Sequence, residues 1–224
     1  MQVDAQVDLG TSPDLAETKP SGSWLARLSV ADGLYLLVIA AAAVMRFSEL
    51  GGIPLSPSEA SEAFAAWQFL QPNSLTVAIG SPAYFTLTSL LIPLLGVSDT
   101  VVRLVPAVFG LGLIFLPWLL RRQLGIIGVL ICASFLSASP LNSSISRTAG
   151  GDAIALFALL LIAVSVARLR DHANEKWFYV MTVGFGLGMA SSPLFYSGLL
   201  TAAVARLLAK FFTKESIWFA PPER

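Results

Sequence analysis

Seven apolar runs, at about 28–45, 82–97, 101–120, 124–141, 152–167, 177–190 and 193–209, follow one another with mostly short polar joins, and they decide what this chain can fold into. A helix needs about 20 apolar residues, or about 17 at the low end, to cross the hydrocarbon core of a bilayer, where no water satisfies an exposed backbone group. Apolar side chains make up 55% of the chain and charged ones 12%, with a mean hydropathy of +0.74, which is not a soluble composition. The expected fold class is all-α, a polytopic integral membrane protein.

The same composition removes several functions. Fourteen basic residues balance fourteen acidic ones, so the electrostatic footprint of a nucleic-acid binder is missing. One cysteine, Cys132, lies inside an apolar run and supports neither a disulfide framework nor a thiolate metal site. One histidine, His172, leaves a histidine-rich metal centre or a Ser-His-Asp triad hard to build. There is no phosphate-binding Gly-Lys-Ser/Thr loop, and ATP-driven transport is unsupported.

Of the seven runs, 82–97 is the weakest. Pro82 opens it, Pro93 interrupts it and Gly96 closes it, a length and pattern that favour an interfacial helix over a span. Charge placement agrees, because cytoplasmic loops collect Lys and Arg. With 82–97 on the outer surface and the N-terminus inside, Lys19, Arg27, Arg121, Arg122, Arg168, Arg170, Lys176, Arg206, Lys210, Lys214 and Arg224 are cytoplasmic; Arg46, Arg103 and Arg147 are external. If 82–97 spans, most of the basic residues move outside. The expectation is about six spans in the cell membrane with both termini cytoplasmic.

This divides the chain into a disordered acidic tail over 1–23 (Asp4, Asp8, Asp14 and Glu17 against Lys19), a membrane module over 24–210, and a cytoplasmic tail over 211–224. The apolar run ending at Arg46 comes late behind an acidic leader, unlike a secretory signal, so the first helix is expected to be retained. Asp32, near the inner end of that helix, is expected to reach the interface or pair with Arg27.

The external loop, 46–100, carries its own helix signal. Ser56, Pro57 and Glu59 fit N-cap, N1 and N3 of a capping box. Ala60, Ala63, Phe64, Trp67 and Leu70 recur behind it at helical spacing, predicting an amphipathic helix over 57–70 ended by Pro72 and Asn73. Further on, Gly184, Gly186 and Gly188 lie in an apolar helix and follow no strand. Gly184 and Gly188 therefore predict a close helix–helix contact, not a nucleotide loop.

Arg46, Arg103, Arg147, Glu49, Glu59, Glu62, Asp99 and Asp152 all fall on the predicted outer face. Guanidinium groups bind phosphate through paired donors, so a lipid-linked phosphate headgroup is one reading. The structural alternative is an Arg147–Asp152 ion pair tethering two helix ends, Glu59 acting only as a cap and Glu62 as a solvated surface residue. Asn142-Ser143-Ser144 matches the N-glycosylation pattern, a motif short enough to arise by chance.

The order of these features resembles a family. The stretches RFSELGGIPLSPSEASEAFAAWQFL, GSPAYFTLTSLLIPLLGVSDTVVRLVPAVFGLGLIFLPWLLRRQLG and SASPLNSSISRTAGGDAIALFALLLIAVSVARLRD are similar to the N-terminal half of GT-C membrane glycosyltransferases, in particular the protein O-mannosyltransferase and RgtA/B/C/D-like branch. The resemblance covers about 45–205. It implies a polyprenyl-phosphate-linked sugar as donor substrate, no certain cofactor, and an outer-facing site whose loop opens with an Asp-Glu pair, the aspartate acting as base. Here Ser58 stands at the aspartate position and Glu59 at the glutamate, so the base is Glu59, or Glu62 by displacement, or missing.

Gly80 and Ser81 replace a His or Lys often found before the proline at 82, and Ser191, Ser192 and Pro193 stand where a lysine is often found. Arg103, Arg147 and Asp152 match the family's retained positions and are the expected lipid-phosphate site. Such enzymes continue beyond the position of Arg224, so a truncated, split or reduced relative is expected. Two readings follow: a glycosyltransferase, or a catalytically degenerate relative serving as a structural or lipid-binding subunit of a larger membrane protein complex. Beyond the bilayer, the expected partners are a polyprenyl-phosphate lipid and other membrane proteins.

Overall fold

The computed structural model describes residues 30–72, 78–171 and 174–212. The acidic tail, the C-terminal tail after 212, Lys19, Arg27, Asn73, His172, Lys214 and Arg224 lie outside the described residues. The described residues are all helix and connection, with no strand among them: α1 (Val30–Phe47), α2 (Pro57–Phe69), α3 (Pro82–Leu95), α4 (Asp99–Phe115), α5 (Arg121–Ala138), α6 (Pro140–Arg147), α7 (Asp152–Asp171), α8 (Glu175–Met189) and α9 (Pro193–Phe212). The all-α membrane fold expected from the apolar runs is the fold observed.

Three stretches are long and apolar enough to cross a membrane: Val30–Phe47, Asp99–Ala138 and Asp152–Asp171. The second folds back on itself as a helical hairpin. Arg103 of α4 binds the carbonyl of Leu50, beyond the C-terminal end of α1, whereas Ile114 accepts a hydrogen bond from Tyr35 near the other end at 2.7 Å, and Leu136 of α5 is back beside Arg46. The chain reverses through a 3-10 turn over Leu116–Leu120 and at Gly125, whose φ of 68° is a left-handed conformation that glycine adopts without strain. Trp118 closes the reversal, stacked on Tyr35 and under the Arg121 guanidinium.

The remaining helices continue the alternation. Ser81, capping α3, packs against Gly151 at the start of α7, while Gln123 donates to the Ala167 carbonyl and to Asp171 near the end of α7 at 2.8 and 2.7 Å. The end of α8 returns to Ser81's side, where the Ala190 carbonyl accepts from the Ala83 amide. One end of the bundle therefore gathers α2, α3, α6, Arg46, Arg103 and Arg147; the other carries Arg121, Arg122, Arg168, Arg170, Lys176, Arg206 and Lys210. Both the start of α3 and the start of α4 belong to the first end, and Pro82–Leu95, 14 residues or about 21 Å of helix, packs on α4 with the Tyr84 hydroxyl donating to the Val102 carbonyl at 3.0 Å.

Packing explains the small residues. A Cβ on Gly184 would press on Leu161 and Ile162 of α7, and one on Gly188 would overlap the Phe195 ring, whereas a Cβ on Gly186 would meet nothing within 4 Å. Thus Gly184 and Gly188 seat α8 against α7 and α9, as their spacing predicts. Asn142 is buried and donates to the Leu136 carbonyl at 2.8 Å, so the glycosylation motif is a helix-end fixture with its amide already engaged.

Candidate functional site

The loop after α1 and the start of α2 build one wall of the site. Ser56 and Glu59 form the predicted capping box: the Ser56 amide donates to Glu59 Oε2 at 2.9 Å and the Glu59 amide to Ser56 Oγ at 3.4 Å, with Pro57 at the first helical position, where its missing N–H costs nothing. The helix runs Pro57–Phe69, one residue short of the expected end, with Leu70 as its C-cap.

Glu59 does more than cap. Its Oε1 accepts from Arg103 Nε at 3.1 Å and from the Ala149 amide at 2.8 Å, and its Oε2 accepts from Arg103 Nη2 at 3.1 Å as well as from Ser56. A carboxylate offers about four acceptor positions, and all are taken. Burial pushes the Glu59 carboxyl up, but the Arg103 guanidinium and the Ser56 and Ala149 amides outweigh it and hold the group at about 2. Glu59 is thus ionised and a very weak base.

Arg103 is equally occupied. Besides the two bonds to Glu59, its Nη1 donates to the Leu50 and Ile53 carbonyls at 2.8 and 2.7 Å and its Nη2 to the Pro54 carbonyl at 3.3 Å. Five N–H groups meet five acceptors, and the loop over 50–54 is riveted to α2 and α4.

Arg147 is partly free. It reaches the C-terminal end of α1, donating from Nη1 to Met45 O at 3.4 Å and from Nη2 to Ser48 O at 2.9 Å and Glu49 O at 3.4 Å. A cation there complements the negative end of the helix dipole. Its Nε and one Nη1 hydrogen keep no partner among the described residues, and it does not pair with Asp152, the structural alternative set out above.

These groups meet in a cavity of about 460 Å³ whose lining includes Glu49, Ser56, Glu59, Arg103, Ser143 and Arg147. Sequence spacing gave Glu49 no role, yet it lines the cavity with a φ of 52°, a left-handed backbone uncommon outside glycine and costing about 1–3 kcal/mol. The signal available was its place just past the end of α1, where a left-handed residue commonly closes a helix.

Glu62 and Asp152 are not in this lining. Glu62, one turn beyond Ser58 on α2, is turned to the Gly80–Ser81 backbone; Asp152, exposed at the start of α7, lies close enough for its charge to act on Glu62. Burial pushes the Glu62 carboxyl up, the Ser81 and Gly80 amides pull it down, and Asp152 pushes it up again, with a raised net result. Its Oε2 is buried without a hydrogen-bond partner, as is Ser192 Oγ at the α8–α9 joint. The Glu62 carboxylate packs directly on Gly80, so a side chain there would push Glu62 Oε1 out of its place. Arg46 is fully buried between α1, α4, α5 and α6; among the described residues it makes two long bonds, 3.4 Å each to the Ala42 and Leu136 carbonyls, and its Nε has no partner there.

A family profile described as dolichyl-phosphate-mannose-protein mannosyltransferase matches residues 80–220, more than half of the chain, and includes Arg103, Arg147 and Asp152 but not α2. No curated protein and no solved structure matches the chain.

Proposed function

The chain belongs to the dolichyl-phosphate-mannose-protein mannosyltransferase family, a membrane glycosyltransferase family of the GT-C kind, and on that premise we propose that it transfers a sugar from a polyprenyl-phosphate donor at the outer face of a six-span bundle. The observation that supports this most is the cavity that collects Arg147, Arg103 and Glu59 from three separate parts of the chain.

Within it the roles separate by what each group has left to offer. Arg147, with two unengaged N–H donors beside the Ser143 and Ser144 hydroxyls, receives the donor phosphate. Arg103, with none, holds the wall in place through Glu59 and the 50–54 carbonyls. Glu59 is a positioning residue, since a group held at about 2 takes a proton poorly at neutral pH.

The acceptor's proton goes to Glu62. Positions 58 and 62 are one helical turn apart, so Glu62 lies on the same face of α2 as Ser58, which lacks a carboxylate, and its own carboxylate sits against the Gly80–Ser81 backbone near Asp152. Its raised affinity for a proton suits a general base better than Glu59's lowered one. Asp152 supports this by its charge. The seven basic residues Arg121, Arg122, Arg168, Arg170, Lys176, Arg206 and Lys210, all at the opposite end of the bundle, support a cytoplasmic side for that end in this reading.

The second reading, a lipid-phosphate-binding subunit without chemistry, is favoured by the saturated Glu59 at the cavity wall and by Ser58. Binding separates neither reading from the other but tests the premise of both. Purified protein titrated with a polyprenyl phosphate is expected to bind it, and Arg147→Ala to weaken binding about tenfold or more, the worth of one charge-assisted phosphate contact of about 1.5–3 kcal/mol. Equal binding by the variant would remove Arg147 from the site.

A further inference from the structure

At the end of the bundle opposite the cavity, α7 and α9 part company. They pack closely where Phe195 sits on Ala155 and Ala158 and where a Cβ on Gly198 would strike Leu159. Beyond Leu199, α9 is exposed along Leu200–Leu208, and a groove of about 440 Å³ opens between the helices. Its walls are small and apolar, Ala163 and Ala167 on α7 facing Ala202 and Ala205 on α9, and its mouth is set by Arg170 and Arg206. The volume falls in the range of about 300–1,000 Å³ typical of small-molecule sites.

We infer that this groove holds an anionic phospholipid of the leaflet at the basic end, one acyl chain lying along the alanines and the headgroup phosphate between Arg170 and Arg206. Three features of the fold carry the assignment. The groove is slotted along the helix axes, the direction of a lipid chain in a bilayer. It is apolar along its length, so a polar occupant would lose its hydration without compensation. Among its described lining residues the charged ones are Arg170 and Arg206 at the mouth, two cations with no carboxylate in the lining, which suits an anionic headgroup better than a zwitterionic one. The groove is separate from the outer cavity, and the inference holds whether or not that cavity performs chemistry.

Retention of lipid by the purified full chain, read by native mass spectrometry after release from micelles containing phosphatidylglycerol or phosphatidylcholine, tests this. One phosphatidylglycerol is expected to stay on the wild type and phosphatidylcholine to leave. Arg170→Gln with Arg206→Gln, both exposed, should lower phosphatidylglycerol retention about thirtyfold, the loss expected for two cations at a membrane surface. Ala163→Leu with Ala202→Leu keeps both cations, fills the groove and should abolish retention as well. Glycerol 3-phosphate in excess should not displace the lipid. Equal retention of the two lipids, retention unmoved by either pair of substitutions, or displacement by glycerol 3-phosphate would each overturn the assignment.

Discussion

Arg103 and Glu59, 44 positions apart in sequence, meet through two parallel hydrogen bonds of 3.1 Å, and the Leu50, Ile53 and Pro54 carbonyls and the Ser56 and Ala149 amides take up the rest of their donors and acceptors. The pair is buried, with side chains 7% and 8% exposed, so its members depend on one another. Removing one partner strands the other's charge, and Arg103→Met or Glu59→Leu alone is expected to cost about 3–5 kcal/mol. The double substitution should cost much less than the sum. Thermal unfolding in one detergent, run as a double-mutant cycle, measures this; additive losses would mean the two groups are not coupled.

The same clamp sets an acid limit. Glu59 sits at about 2 in the fold against 4.5 for an ordinary carboxyl, so the unfolded chain binds the proton more tightly. The stability it contributes is complete above about 4.5 and is lost as pH falls from there through about 2. Unfolding temperature followed across that window should fall more steeply for the wild type than for the Arg103→Met, Glu59→Leu double variant, whose profile should be flatter.

Arg46 presents the opposite case. Its guanidinium is wholly buried with two long bonds and an unpartnered Nε, an arrangement whose desolvation is poorly offset. Arg46→Met, similar in length and apolar, is expected to leave the unfolding temperature unchanged or raise it. A loss of about 3 kcal/mol or more would show that the buried cation is a structural anchor.

Gly186 and Gly188 lie on one helix with different surroundings. Gly188→Ala should destabilise by about 1–3 kcal/mol, because its Cβ overlaps the Phe195 ring in a packed joint. Gly186→Ala should be neutral or mildly stabilising, because it meets open space and alanine is the better helix former. Unfolding temperatures of the two variants side by side check the contrast.

Much of the fold was legible because its signals are local. Ser56, Pro57 and Glu59 define a helix start within four residues, Gly184 and Gly188 a packing face within one turn, and the apolar runs the helices themselves. The site was less legible because its bonds are not local. Nothing in the spacing of Glu59 shows that Arg103 will saturate it, or that Arg147 will turn to carbonyls at 45–49 and not to Asp152 five residues on. Asn142 reads as a surface motif until Leu136 claims its amide. Glu49 shows in sequence only its charge and its place just past the end of α1, and the left-handed turn that puts it in the cavity exists only once α1 has ended.

The central claim is that proton removal rests on Glu62 while Glu59 holds the wall. Turnover of a polyprenyl-phosphate sugar by the wild type, Glu62→Gln and Glu59→Gln across pH tests it most directly. The account predicts turnover that falls on the acid side at a pH above the ordinary 4.5, abolished in Glu62→Gln with lipid binding intact, and reduced in Glu59→Gln together with stability. Full turnover by Glu62→Gln would contradict it, and so would no turnover by the wild type with bound lipid, the outcome expected of a binding subunit.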